Sequence, residues 1–299
     1  MSNLLCHDRV AVITGAARGI GREYALQFAA AGARVVVNDL GGARDGEGRS
    51  STPAEDVVAE IEARGGVAVS DANDISTWNG AQGLIAAAIG QFGRVDVLVN
   101  NAGILRDRML FNLSEQDWTA VIDVHLNGTF FCTRHVVTHW RERYKRDGAV
   151  SGRLINTSSS SGLFGRAGQA NYGAAKAGIA ALTIIAAEEM ARWGVTANAI
   201  YPAAHSRLTS DLAGFADVED PDDLRNPAFI APLVVWLGSE EAADVTGRVF
   251  GTRGNTITLA HGWTRGPEVS SPVRWSPDLL GPVIRSLVVE GDAASGPSE

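Results

Sequence analysis

A phenol and an ammonium one helical turn apart, Tyr172 and Lys176, are the residues with which chemistry begins in this chain. They sit in the stretch INTSSSSGLFGRAGQANYGAAK, residues 155–176, where a β-branched run gives way to four serines (Ser158 to Ser161), a Gly-rich loop and a helix. Residues i and i+4 share one helix face, so both side chains are expected to point into one pocket. A free phenol loses its proton near pH 10, too reluctantly for acid–base work at neutral pH. A cation roughly 4 Å away, at an effective dielectric of about 20, favours phenolate by about 4 kcal/mol. The expectation is that Lys176 brings Tyr172 into working range, while a serine hydroxyl donates to a carbonyl oxygen, or accepts from an alcohol, beside it. The chain has 4 Tyr and only two Lys, Lys145 and Lys176, so composition alone gives a Tyr-x-x-x-Lys with a chance of roughly 0.03. Every other basic side chain is Arg, bulkier and effectively never deprotonated, and a Lys kept here suggests that an ammonium is required.

Behind this pair stand elements that predict a bound dinucleotide. Residues 9–13 read as a strand, followed by Thr14-Gly-Ala-Ala-Arg-Gly-Ile-Gly21, a helix to about residue 31 stopped by Gly32, and a second strand over residues 34–38 ending at Asp39. Strand, glycine turn, helix, strand and acid make a βαβ unit with a dinucleotide fingerprint. Gly15, Gly19 and Gly21, with Arg18 and Ile20 between them, let backbone N–H groups approach a pyrophosphate at a helix N-terminus, where the dipole favours negative charge. The spacing is Gly-x-x-x-Gly-x-Gly, which alone also fits a tight turn; Asp39, eighteen residues beyond Gly21, strengthens the cofactor reading. A carboxylate at the end of the second strand accepts from a ribose 2′-hydroxyl and repels a 2′-phosphate, so Asp39 selects NAD over NADP. Arg18 pulls the other way, because it could reach a phosphate, and the charge argument favours Asp39. At Asp74-Ile75 the acid either holds the adenine amino group or caps the next helix.

The remaining chain continues the alternation. Residues 41–51 are Gly-rich and charged, a surface loop; Thr52-Pro53-Ala54-Glu55 looks like a capping box for a helix to about residue 64. A strand at 67–70, a helix at about 82–92 and the run Val95-Asp-Val-Leu-Val-Asn-Asn-Ala-Gly103 follow. Ser114-Glu-Gln-Asp117 caps a long helix to about residue 143 that carries His125 on its apolar stripe, where a histidine is usually a satisfied core residue. A strand at 195–200, a helix opened by Asn226-Pro227 and a last strand at 248–250 complete a doubly wound α/β parallel sheet of about seven strands, covered on both faces. The segment 203–226 has no clear periodicity and could be a substrate lid. The expected domain spans residues 1–254; residues 255–299, with five of the 10 prolines, are expected to form an extended tail packing Trp263 and Trp275, disordered from about Gly291.

Composition narrows the partners. The 299 residues are 45% hydrophobic and carry net charge −8, which argues against nucleic acid or an anionic membrane as a main partner. Cys6 and Cys132 are too few for a disulfide framework and suit a reducing cytosol. No secretory leader pattern opens the chain, no apolar run reaches 18 residues, and the closing Pro-Ser-Glu does not match a peroxisomal address, so a cytoplasmic location is expected, with no metal centre. Small residues along 173–181 permit close helix approach, compatible with a homodimer.

Thr14-Gly-x-x-x-Gly-x-Gly21, Asn100-Asn-Ala-Gly103, a serine thirteen residues before Tyr172, and Tyr172-x-x-x-Lys176 together resemble the short-chain dehydrogenase/reductase family over about residues 8–253. The resemblance implies that Tyr172 is the acid/base, that Ser159 positions the substrate oxygen, that Lys176 holds the nicotinamide ribose and lowers the tyrosine pKa, and that Asn101, Ala102 and Gly103 line the cofactor cleft. Val-Val-Val-Asn-Asp-Leu-Gly-Gly42, Asn-Ala-Gly-Ile-Leu-Arg-Asp-Arg108 and Gly-Gln-Ala-Asn-Tyr172 are closer to the D-3-hydroxyacyl-CoA dehydrogenase part of the β-oxidation multifunctional enzyme and its bacterial single-domain relatives. That likeness implies an NAD-dependent dimer oxidising a 3-hydroxyacyl-CoA, in some members a steroid alcohol. His125 stands where the wider family has an Asn that relays protons, and Ala203 replaces the usual Gly after Pro202. Two alternatives stay open: an NADP-dependent reductase of 3-oxoacyl thioesters or small carbonyls, and a non-catalytic dinucleotide-binding scaffold.

Overall fold

The first strand, β1 (Val10–Thr14), sends Ala11 and Ile13 into one apolar layer and Val12 into another, so both of its faces are buried. That is why its sequence is continuously apolar rather than alternating. A computed structural model describes residues 4–205, 220 and 222–295 of the protein. The remaining strands are β2 (Arg34–Asn38), β3 (Val67–Asp71), β4 (Val97–Asn100), β5 (Arg153–Thr157), β6 (Thr196–Pro202), β7 (Val249–Arg253) and β8 (Thr256–Ala260). The helices are α1 (Gly19–Ala30), α2 (Thr52–Ala63), α3 (Trp78–Phe92), α4 (Glu115–Ile122), α5 (Gly128–Asp147), α6 (Ser160–Phe164), α7 (Ala170–Met190), α8 (Ala231–Leu237) and α9 (Leu280–Ser295).

The strands form one sheet in the order β3-β2-β1-β4-β5-β6-β7-β8, with every pair parallel except β7 and β8. Helices α1, α2 and α8 cover one face through Tyr24, Phe28, Val57 and Leu237; α3, α5 and α7 cover the other through Leu84, Trp140 and Met190. The chain winds outward from β1 to β3, then returns to β4 on the other side of β1. This reversal opens a crevice at the carboxyl ends of β1 and β4, the place where open α/β sheets bind ligands.

Several expectations need correction. An eighth strand exists: Gly254 (φ +52°) and Asn255 turn the chain so that β8 pairs antiparallel with β7, Arg253 opposite Thr256 and Val249 opposite Ala260. The first compact unit therefore runs to Ala260 rather than 254. In the second unit α9 occupies Leu280–Ser295 where an extended, then disordered, tail was expected, while Trp263 and Trp275 are both exposed. The long helix is interrupted: Ser114 does cap α4 by accepting from the Asp117 N–H at 3.1 Å, but Asp123–Asn127 form a π-helical turn before α5. Finally, α2 begins at Thr52 without the expected capping box, its cap position being Ser51, and Thr77 rather than Asp74 caps α3. The proposed lid falls largely on residues 206–219 and 221, which lie outside the described residues. Both cysteines are free and buried. Among the described residues no helix is long and apolar enough to cross a membrane.

Candidate active site

The four serines after β5 are sorted by what each touches. Ser158 donates to the Lys176 carbonyl at 2.8 Å, tying the loop to α7. Ser160 is exposed, and Ser161 donates to Gln169 Oε1 at 2.6 Å. Ser159 is the serine that acts on the Tyr172 phenol, lowering its pKa, while its Oγ accepts from the Ser161 N–H at 3.2 Å. The approach of α6 to α7 depends on Gly162, where a Cβ would fall 2.6 Å from the Ala177 nitrogen.

Lys176 lies one turn along α7, 3% exposed, with Nζ 5.6 Å from the Tyr172 ring centroid. Tyr172 and Lys176 thus stand side by side on α7. Their electrostatics differ from the expectation. Nζ donates to the Thr157 carbonyl at 2.6 Å, and burial lowers the ammonium pKa to about 7. Burial also raises the Tyr172 phenol above its ordinary value, the Ser159 hydrogen bond opposes this, and the Asp107 carboxylate raises it further. The lysine charge stands 5.6 Å from the ring centroid and is itself weakened by burial, and the Tyr172 shift is set instead by burial, Ser159 and Asp107.

His125 closes the pocket from the π turn. Its ring meets Tyr172 edge to face at 5.1 Å and 88°, and its Nε2 lies 3.0 Å from the Ile104 nitrogen and 2.8 Å from the Ile104 oxygen. Burial and the Lys176 charge lower its pKa to about 3, so the imidazole is neutral. Its Nδ1 is buried without a hydrogen-bond partner. The ring occupies space that exists because residue 103 is glycine: a Cβ there would fall 2.4 Å from His125 Cε1. Sequence reasoning read His125 as a core histidine and as a departure from the family pattern, and missed Asp107, Gln169 and Asn171. Gln169 donates from Nε2 to Asp107 Oδ2 at 2.7 Å; Asn171 donates from Nδ2 to the Arg106 and Asp117 carbonyls, both at 3.1 Å, and accepts from the Tyr172 N–H at 2.8 Å. The Gly-Gln-Ala-Asn-Tyr172 string carried that signal, but its partners are distant in sequence.

All eleven residues outside α7 that the sequence assigns to a cofactor line one cleft at the β1/β4 crevice, which encloses about 1000 Å³ including its open mouth. Tyr172 and Lys176 lie beyond that lining, past Gly103 and His125. A dinucleotide fits the residues present. Gly15 (φ +65°) and Gly19 (φ +53°) turn the backbone into α1, which has neither a capping side-chain bond nor an acid in its first turn, so its leading N–H groups are left for an anion. Gly21 permits the turn's closure, since a Cβ there would fall 2.1 Å from the Gly15 oxygen. Asp39 accepts from the Ala17 N–H at 3.0 Å and the Gly41 N–H at 2.7 Å, which fixes its carboxylate at the cleft. Asn101 supports the glycine turn from Nδ2, donating to the Thr14 and Gly15 carbonyls at 3.1 and 3.0 Å, while the Ala102 N–H donates to Thr14 Oγ1 at 3.1 Å. Asp74 accepts from Ser76 and pairs with Arg49 at 2.7 Å, and Ile75 packs beside it in the cleft lining.

Known proteins are similar to this chain in sequence and fold. Residues 9–211 match the family model described as short chain dehydrogenase. The chain is 50% identical over 259 residues to hydroxyacyl-CoA dehydrogenase ChsB1 of Mycobacterium tuberculosis, covering 84% of this chain and 79% of that one. It is 48% identical over 258 residues to the peroxisomal multifunctional enzyme type 2 of Drosophila melanogaster, covering 85% of this chain but 39% of that longer protein. A crystal structure of a short chain dehydrogenase from Mycobacterium avium superposes with a TM-score of 0.88 at 51% identity, covering 96% of this chain and 97% of the other. A glycine turn at the β1/β4 crevice, a serine–tyrosine–lysine pocket beside it and a family match across most of the first unit lead to one assignment: the chain belongs to the short-chain dehydrogenase family.

Proposed function

We propose that this chain oxidises the 3-hydroxyl of an acyl thioester, a 3-hydroxyacyl-CoA, with NAD as the partner. The family uses a nicotinamide dinucleotide, which when bound supplies the ring that accepts the hydride and a positive charge that favours phenolate nearby. The chain's own residues handle the proton. Tyr172 takes the hydroxyl proton, Ser159 hydrogen-bonds the reacting oxygen beside it, and Lys176 sits under the phenol with its ammonium held by the Thr157 carbonyl. The observation that carries this reading is the sorting of the serines, which leaves only Ser159 against the phenol.

Two features support the substrate class. Relatives named for hydroxyacyl-CoA or multifunctional peroxisomal enzymes match most of this chain. Exposed apolar side chains also surround the serine loop: Phe164 meets Tyr201 edge to face, and Met109 lies against Gly168, a surface suited to an acyl chain. For NAD the support is Asp39, whose oxygens accept only backbone N–H donors, while Arg18 is drawn to the Gly42 carbonyl at 3.3 Å and Arg49 to Asp74. Arg18 at the mouth of the cleft supports the NADP-dependent reductase as the second reading. A homodimer is supported by α7, which exposes Ala174, Ala177, Ala181, Ile184 and Ile185. Two unpaired buried thiols fit a reducing cytosol.

The test is cofactor reduction followed over 3-hydroxyacyl-CoAs of graded chain length and a hydroxysteroid, each with NAD and with NADP. Turnover with an acyl-CoA and NAD is the expected result. Turnover confined to the steroid or to NADP replaces the reading, and tight dinucleotide binding without any turnover leaves the scaffold.

A further inference from the structure

The loop that follows β2 crosses the cofactor cleft. Residues 42–50 carry no regular structure, yet Gly42, Ala43 and Gly46 line the same cleft as Gly19 and Asp39. Gly46 (φ +91°) lies directly over Ile104, whose Cδ1 would be 3.2 Å from a Cβ built there. The strap is fastened on its far side to the loop after β4. The Leu105 N–H donates to the Arg44 carbonyl at 3.1 Å. Arg106, with a side chain 15% exposed, donates from Nε to the Asp45 carbonyl at 2.9 Å and from Nη2 to Glu47 Oε1 at 3.0 Å, and its Nη1 lies 3.9 Å from Asp117 Oδ1.

The same residue is tied to the catalytic helix through its backbone. Asn171, fully buried, donates to the Arg106 carbonyl and in turn accepts from the Tyr172 N–H. One residue therefore grips the strap over the dinucleotide with its guanidinium and the base of the tyrosine with its carbonyl. A surface ion pair such as Arg106 with the exposed Glu47 is worth little by itself. Arg106 is different because its Nε bond fixes strap backbone, and because its guanidinium lies sheltered between two carboxylates.

We propose that Arg106 is a positioning residue: a latch that closes the 42–50 strap over the bound dinucleotide and makes cofactor binding and the placement of Tyr172 mutually dependent. The inference rests on a dinucleotide occupying the cleft, and not on the identity of the alcohol. Because coupling is reciprocal, a nucleotide that presses the strap closed must also be released more readily when the latch is cut.

Arg44 and Arg49 are trypsin sites within the strap, so its closure is readable without any turnover. The experiment uses the full chain as wild type, Arg106→Met, Arg106→Lys and Glu47→Gln, with NAD binding titrated by tryptophan fluorescence and strap cleavage timed with and without saturating NAD. For Arg106→Met the dissociation constant for NAD is expected to rise about tenfold, within the range of ordinary site–site coupling. Its strap should be cut faster, and the protection that NAD gives the wild-type strap should vanish. A purely structural arginine would lower the melting temperature without touching that protection. Should Arg106→Met fail to fold, Arg106→Lys, which loses the Nε bond, and Glu47→Gln are expected to show the same pattern at a few-fold. Variants that bind NAD within about twofold of wild type and keep its protection overturn the latch. A wild type that binds no dinucleotide instead overturns the functional reading on which it stands.

Discussion

Tyr172 must give up its proton in a setting that discourages it. Burial and Asp107 both raise its pKa, and Ser159 alone opposes them. Phenolate is then the minor form at neutral pH, and its fraction grows about tenfold per pH unit below the pKa. The rate of alcohol oxidation, read as kcat/KM, is expected to climb with a slope of about one on a logarithmic plot from pH 7 upward. Tyr172→Phe should lose about 10³-fold in kcat and the slope with it, while binding NAD as the wild type does in a fluorescence titration. A variant that turned over normally would remove Tyr172 from the reaction. Asp39 makes a second prediction at this scale. Asp39→Asn retains an acceptor for one backbone N–H but loses the charge, so NADP should gain on NAD by about tenfold in kcat/KM. An unchanged ratio would move cofactor choice elsewhere. Residue chemistry of this kind was legible early, because a Tyr-x-x-x-Lys in a chain with two lysines is a statement about types and spacing. The pKa directions were not, because they depend on burial first, and then on Ser159 and Asp107, which only folding brings around α7.

At the scale of elements, periodicity is read where it is regular and lost where one residue is added or a turn is short. β2 was bounded to the residue, since a continuous β-branched run flanked by turn residues leaves little choice. The π turn at Asp123–Asn127 was not read, because one inserted residue shifts the apolar stripe round the helix yet leaves the segment on either side amphipathic on its own. β8 did have a signal: Gly254-Asn255 between β-branched runs is a hairpin turn, and a composition-based boundary overrode it. The π turn matters because it delivers His125 against both Tyr172 and residue 103. Gly103→Ala is therefore expected to push the imidazole off its Ile104 contacts, costing about 1–3 kcal/mol by overpacking and slowing turnover. The diagnostic is non-additivity. In a His125→Ala background the same Gly103→Ala change should cost little in a denaturant melt, whereas equal costs in both backgrounds would show that the glycine serves another neighbour.

The whole molecule carries a charge cost that its site creates. His125 has a pKa of about 3 in the folded chain against 6.5 ordinarily, so between these values the unfolded chain takes up a proton that the native protein refuses. Stability is therefore lost as pH falls from 6.5 toward 3, at up to about 1.4 kcal/mol per pH unit from this residue. Lys176 acts in the same sense over a different window. Its pKa of about 7 against 10.5 means that the unfolded chain binds the extra proton between those values, so stability rises with pH through that range; below 7 both states are charged and the penalty is constant. Above about pH 9 the buried thiols of Cys6 and Cys132, raised to about 11 and about 12, reverse the trend, because the unfolded chain sheds their protons first. Denaturant midpoints measured from pH 4 to 9 should then separate the two groups. His125→Asn flattens the curve below 6.5 and leaves the alkaline side alone; Lys176→Met flattens it between 7 and 9. Both variants should be more stable than wild type where the wild-type group costs stability: Lys176→Met at and below pH 7, where the native lysine carries its charge into the core, and His125→Asn toward pH 4, where the unfolded chain binds a proton that the neutral native imidazole refuses, the stability–activity exchange expected of residues kept for chemistry rather than for packing. Curves running parallel to wild type across the whole range would mean that neither side chain is buried as the structure places it, and the neutral imidazole and half-charged lysine behind the catalytic argument would go with them.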